Sequence, residues 1–147
     1  MRPRQMDEIS EDVLLLFPLL KRLFDGPPSD PALAALKNHS YHILQILQRK
    51  GPLSISAIGL LLLIAKQNMT TFIDRLMRDG LVERRNDPAD RRIISIVLTE
   101  KGGHVLREWR RGLQKIIRGN VRRLNDEERD SLQAALRAIK TIVRKGK

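Results

Sequence analysis

The segment between Gly51-Pro52 and Gly80 constrains the fold most. Gly51-Pro52 stops any helix before it, and Ser54 or Ser56 can cap a short helix ending near Leu63. Ala65-Lys66-Gln67 supplies a tight turn into another helix that Gly80 terminates. This is helix-turn-helix spacing. In the second helix Met69, Phe72, Ile73, Leu76 and Met77 recur every three or four residues and form one buried stripe. Gln67, Thr70, Thr71, Asp74, Arg75 and Arg78 share the opposite face.

The flanks extend this head. Leu81 to Arg85 and Arg92 to Leu98 are β-prone runs joined by Asn86-Asp87-Pro88-Ala89-Asp90, which predicts a basic hairpin. Upstream, residues 8 to 24 carry Ile9, Val13, Leu16, Leu20 and Leu23 or Phe24 at helical spacing, and Pro18 predicts a kink near Leu14 to Phe17. Gly26 to Pro31 is a connector, Ala32 to Lys37 a short helical turn, and a helix capped by Ser40 reaches Lys50, burying Ile43, Leu44 and Leu47. Downstream, Thr99 caps a long helix extending to about Arg123, with Val105 or Leu106, Trp109, Leu113, Ile116 or Ile117 and Val121 apolar. Asn125 caps the last helix, whose stripe is Leu132, Ala135, Leu136, Ile139 and Ile142 or Val143. The expected class is mainly α with a small β-hairpin wing (α+β).

Charge narrows the partners. The 147 residues suit one domain and carry 28 Lys plus Arg against 17 Asp plus Glu, a surplus of 11. Residues 100 to 147 hold 14 basic and 6 acidic groups, so +8 of that surplus sits in the last third. A surplus so placed favours a polyanion, nucleic acid above anionic lipid. The aromatics are only Phe17, Phe24, Tyr41, Phe72 and Trp109, too few for a stacking surface along single strands. Without cysteine there is no disulfide, thiolate zinc site, Cys nucleophile or thiol switch. The longest apolar run, Ala57 to Ala65, is about half of a bilayer crossing, and Val13 to Leu20 follows acids rather than a basic leader. We therefore expect a cytoplasmic protein without a membrane partner.

Other chemistry is thin. His39 and His42 are three apart with no third ligand nearby, so capping or packing is the expected role, and no metal or cofactor is expected. Asp7, Glu8, Glu11 and Asp12 lie at a helix start, where acids favour the dipole. No phosphate loop, nucleophile elbow or Ser/His/Asp order occurs, which argues against an enzyme. Leu60 to Leu63 sweep about 300 degrees of a helix and cannot share one buried face. They need an extra packing surface, or they expose an apolar patch to a partner.

Leu53-Ser54-Ile55-Ser56-Ala57-Ile58-Gly59, Lys66 to Leu76, Gly80-Leu81-Val82-Glu83-Arg84-Arg85, Asp87-Pro88-Ala89-Asp90-Arg91-Arg92 and Leu98-Thr99-Glu100-Lys101-Gly102 together resemble the MarR family of winged-helix regulators. The match is dense from about 40 to 103. The resemblance implies one domain over 1–147, a winged helix-turn-helix head (40–103) with interlocking dimerisation helices from 1–39 and 104–147. It implies a homodimer that binds double-stranded DNA at a palindromic operator, a repressor relieved by a small aromatic or lipophilic effector. Lys66, Gln67, Asn68, Thr70, Thr71, Arg75 and Arg78 would then meet the major groove, and Arg84, Arg85, Asp90, Arg91 and Arg92 would form a wing at the minor groove.

The side chains suit those places. Gln fits adenine, Thr methyls fit thymine, and Arg75 and Arg78 lie further along the helix, where phosphates are the natural partners. Asp90 invites an ion pair with Arg92, the single strongest wing candidate. Effector walls would be Phe17, Leu20, Leu36, His39, Tyr41 and Trp109. One departure stands out: Leu60 and Leu61 occupy positions where the family commonly has polar or basic residues facing the DNA backbone. The alternative they suggest is a winged-helix protein-interaction adaptor.

Overall fold

The structure, a computed structural model, describes residues 3–146. They fall into two compact units, Gly26–Leu113 and the two ends of the described chain, residues 3–25 with 114–146.

In the first unit, α2 (Pro31–Lys37) starts at Asp30, whose carboxylate accepts the Ala32 and Leu33 N–H groups. α3 (Ser40–Lys50), α4 (Ile55–Leu62), α5 (Lys66–Arg78), strands β1 (Val82–Asn86) and β2 (Ile94–Leu98) and the first part of α6 (Glu100–Val121) complete it. The expected stripes meet in one core, with Ile43, Leu44 and Leu47 of α3 against Ile58, Met69, Ile73, Leu76, Leu81, Val82, Ile96 and Leu106. Phe72 and Met77 of the α5 stripe are partly buried beside them.

Three local expectations need correction. Ser40 is not the cap of α3: His39 holds that position at φ 65°, and the Asn38 side chain accepts the Ser40 N–H at 3.1 Å. The short link from α2 lets Asn38 close one helix and serve the start of the next. Second, the interhelical turn is Leu63-Ile64-Ala65, and Lys66 and Gln67 are already helical. Leu63 adopts φ 56°, closing α4 by donating its N–H to Leu60 O while Ile64 N–H reaches Gly59 O at 2.9 Å. This is the closure that glycine usually provides. Gly59 makes the tight turn sterically feasible, since a Cβ there would stand 2.8 Å from Ile64 O. Because a left-handed leucine is strained, Leu63→Gly should stabilise the fold by about 1 kcal/mol, read as a higher urea midpoint. An unchanged or lower midpoint would contradict this account.

The third correction concerns the hairpin. Leu81 is not in β1, because its N–H closes α5 onto Leu76 O at 2.9 Å, with Gly80 at φ 72°. Arg92 and Ile93 precede β2, because Asp90 takes both their N–H groups, one on its side chain and one on its carbonyl. β1 and β2 pair antiparallel from Val82↔Leu98 to Asn86↔Ile94. Leu53 adds a two-bond bridge to Ile96 that the sequence did not reveal.

Ser54 caps α4 and Thr99 caps α6, their hydroxyls accepting the Ala57 and Gly102 N–H groups. Thr99 also donates to Gly80 O at 2.7 Å and Lys101 Nζ to Asp79 O at 2.8 Å, so the start of α6 secures the end of α5.

In the second unit α1 (Pro3–Leu20) runs past Pro18 as one helix and leaves α geometry only at a 3-10 turn, Lys21–Phe24. The Asn120 amide donates to Leu23 O and Asp25 O, both at 3.0 Å. Asn125 and Glu128 form a reciprocal capping box at the head of α7 (Asp126–Lys145). The stripe is present on α7, yet no residue of this helix is buried, and most of the apolar side chains of α1 are exposed.

Candidate nucleic-acid interface

α5 is amphipathic by construction. With Met69, Ile73 and Leu76 held in the core, Lys66, Gln67, Asn68, Thr71, Asp74, Arg75 and Arg78 are exposed and Thr70 half-buried. Thr70 and Thr71 donate their hydroxyl protons to Lys66 O and Gln67 O of their own helix. What they offer a groove is therefore methyl groups and oxygen lone pairs, suited to thymine methyls and base donors. Ala65 provides no side-chain cap, so Lys66 stands at a helix end whose field is already positive.

The loop between β1 and β2 is built by two aspartates. Asp87 accepts the Ala89 and Asp90 N–H groups, and Asp90 Oδ1 accepts both the Arg92 N–H at 3.0 Å and Arg92 Nε at 3.2 Å. Arg92 is thus aimed by Asp90 while its side chain stays 92% exposed. Two contacts escaped the sequence reading. Arg84 pairs with Asp74 at 3.1 Å, joining the wing to α5, and Arg85 pairs with its neighbour Glu83. An acid amid the bases of the α5 polar face was the only signal for the first. Lys66, Arg75, Arg78 and Arg91 have no ion pair among the described residues.

The MarR family model matches residues 36–94. YkoM of Bacillus subtilis, an HTH-type transcriptional regulator, is 32% identical over 105 residues, 68% of each chain. The chain belongs to the MarR family. YsmB of the same organism, also an HTH-type transcriptional regulator, is 34% identical over 85 residues, 58% of each chain. The fold agrees with a MarR family protein from Bacillus stearothermophilus (TM-score 0.65, 23% identity, 98% and 99% of the two chains covered). It also agrees with apo MarR from E. coli (TM-score 0.70, 19% identity, 88% and 95% covered). This MarR-family chain is a DNA-binding transcriptional regulator, and its relatives belong to a non-enzyme class. No single helix among the described residues is long and apolar enough to cross a membrane.

The residues expected around an effector are divided between the two units. In the first unit, Tyr41 and Trp109 pack on the core, the His39 ring lies 5.4 Å from Phe72, and Leu36 is half-buried on α2. His42 sits edge-on to Tyr41, and burial lowers its pKa, helped by nearby His39 and opposed by a hydrogen bond with Gln45. In the other unit Phe17 is exposed with the Lys21 ammonium 5.3 Å from its ring centre. Leu20 lines an open groove of about 540 Å³ with Leu19, Leu23, Leu124 and Leu132, beside Glu127 and Glu128.

Proposed function

We propose that this regulator is a cytoplasmic homodimeric repressor that reads a palindromic operator. The α5 helices enter major grooves and the Asp90-ordered Arg92 wings reach the flanking minor grooves. Residues 40–103 act as the head and 1–39 with 104–147 as the dimerisation part. The observation that carries the reading is the pairing of a short polar α5 face with a loop that spends two aspartates on ordering one exposed arginine. The unburied stripes of α1 and α7 support the dimer, since a chain working alone rarely leaves so much apolar surface in water. Relief by a small aromatic or lipophilic effector is the last part of the proposal, with His39, Tyr41 and Trp109 as its aromatic wall. A second reading, a protein adaptor, draws on the exposure of Leu60 and Leu61.

The test separates reading from clamping. Gln67→Ala should cost binding to the duplex selected from a random pool about 1–3 kcal/mol while barely affecting mixed-sequence DNA. Arg92→Ala should weaken both, and the preference for A·T flanks should fade with it. Asp90→Ala should act in the same direction but mildly, since it removes only an exposed ion pair and a loop hydrogen bond. Competition binding at two salt concentrations checks all three. If Arg92→Ala binds every duplex as the parent does, the hairpin is no DNA-contacting wing and the adaptor becomes the better reading.

A further inference from the structure

The leucine run has a structure that the fold itself does not require. Leu62 packs on the head core, whereas Leu60 is 78% exposed, Leu63 91% exposed and Leu61 partly so. Leu63 also holds φ 56°, where glycine would be less strained. Burial and backbone comfort both argue against leucine at this position, so what favours it lies outside the single chain.

Its surroundings indicate what that is. Leu60 and Leu63, with Gly59, Ile64 and Ala65 and the polar Ser56 and Lys66, surround an open hollow of about 280 Å³. The apolar wall therefore runs straight into the first residue of α5, the helix that presents Gln67 and Thr70. A duplex that meets Gln67 must pass one strand across this first turn. A DNA strand alternates an anionic phosphate with the apolar face of a deoxyribose. The hollow matches that alternation, with leucine walls for the sugar and the Lys66 ammonium for the adjoining phosphate.

We propose that Leu60 and Leu63 form a seat for a deoxyribose of the bound strand, so that on α4 apolar contact supplies the backbone grip that charge would otherwise give. This rests on the DNA-binding reading above. The contact is independent of sequence, and it releases no counterions.

The experiment compares the parent, Leu60→Ala/Leu63→Gly and Leu60→Lys on mixed-sequence duplex DNA and on the duplex that the parent selects from a random pool, across a salt series. Both positions are exposed and glycine relieves the strain at 63, so a urea midpoint at or above the parent's is expected and confirms folding. The double variant should lose roughly tenfold or more on both duplexes. Its salt slope should be unchanged. Leu60→Lys should steepen the slope by about one unit per subunit, because a new cation then meets phosphate. Binding like the parent's at every salt concentration overturns the seat, as does a loss accompanied by a shallower slope. A double variant that keeps DNA affinity but no longer self-associates overturns it in favour of a protein-facing patch. Should the parent itself bind no duplex, the underlying reading fails, and that failure is visible before any variant is made.

Discussion

Replacing Gly102 with Ala is expected to unfold the head. A Cβ at this position would lie 2.0 Å from the Leu81 carbonyl oxygen, 2.9 Å from its carbon and 2.8 Å from Leu98 Cδ1. Neither backbone can yield. The Leu81 carbonyl accepts the Thr99 N–H at 3.1 Å, and the Leu81 N–H closes α5 onto Leu76 O. On the other side, the Gly102 N–H is held by the Thr99 hydroxyl. Overpacking against fixed backbone should cost on the order of 3 kcal/mol or more. DNA binding should fall with it, because the residue displaced, Leu81, also closes the end of α5 through its N–H on Leu76 O. Gly119, on the same α6, is the matched control: nothing lies within 4 Å of its Cβ position. Gly119→Ala should stabilise by about 0.5–1 kcal/mol, since Gly in a helix interior carries an entropic penalty. Urea unfolding followed by circular dichroism measures both, and a Gly102→Ala chain as stable as the parent would sink the packing argument.

What the sequence made legible was what acts over a few residues. Ser54, Thr99 and Asn125 cap because their side chains reach N–H groups three residues on, and the α5 stripe follows from helical periodicity alone. The Asp90–Arg92 pair was readable for the same reason, its partners being two residues apart. The His39 and Leu63 conformations were not, because each is set by how one helix end hands the chain to the next. Leu at a left-handed position contradicts residue preference and leaves no mark in the sequence. The Leu53–Ile96 bridge and the Asp74–Arg84 pair depend on where the hairpin lands on the helices. That last pair matters for the proposed site, because it makes Arg84 a brace between the hairpin and α5 and leaves it less free to meet a phosphate. The polar face of α5 was legible, whereas which of its cations are already paired was decided by packing.

Placing two acids on α7 is expected to split the proposed dimer and take operator binding with it. Leu136, Ile139, Ile142 and Val143 recur along one stripe and are all exposed, and α1 offers Val13, Leu14, Leu15, Leu16 and Phe17 in the same condition. The chain's own capping box and first-turn acids fix where α7 begins, so the helix is well started but not covered. A helix stripe in water gains little from its apolar residues, whereas a second copy buries them on both sides. Leu136→Glu/Ile139→Glu puts carboxylates where that burial would occur, and an unpaired charge there is far costlier than a lost methyl group. Sedimentation should change from two chains to one. The first unit, Gly26–Leu113, forms its core without α7, so its helical signal and its urea transition should persist. DNA binding then reports the linkage. With two heads joined, the second half-site is met at a high effective concentration, and losing that link should weaken operator affinity by roughly 10²–10⁴-fold. The salt slope should fall to about half, because one head displaces half the counterions of two. A double variant that sediments as two chains and binds as the parent does would remove α7 from the interface and leave α1 to account for the pairing.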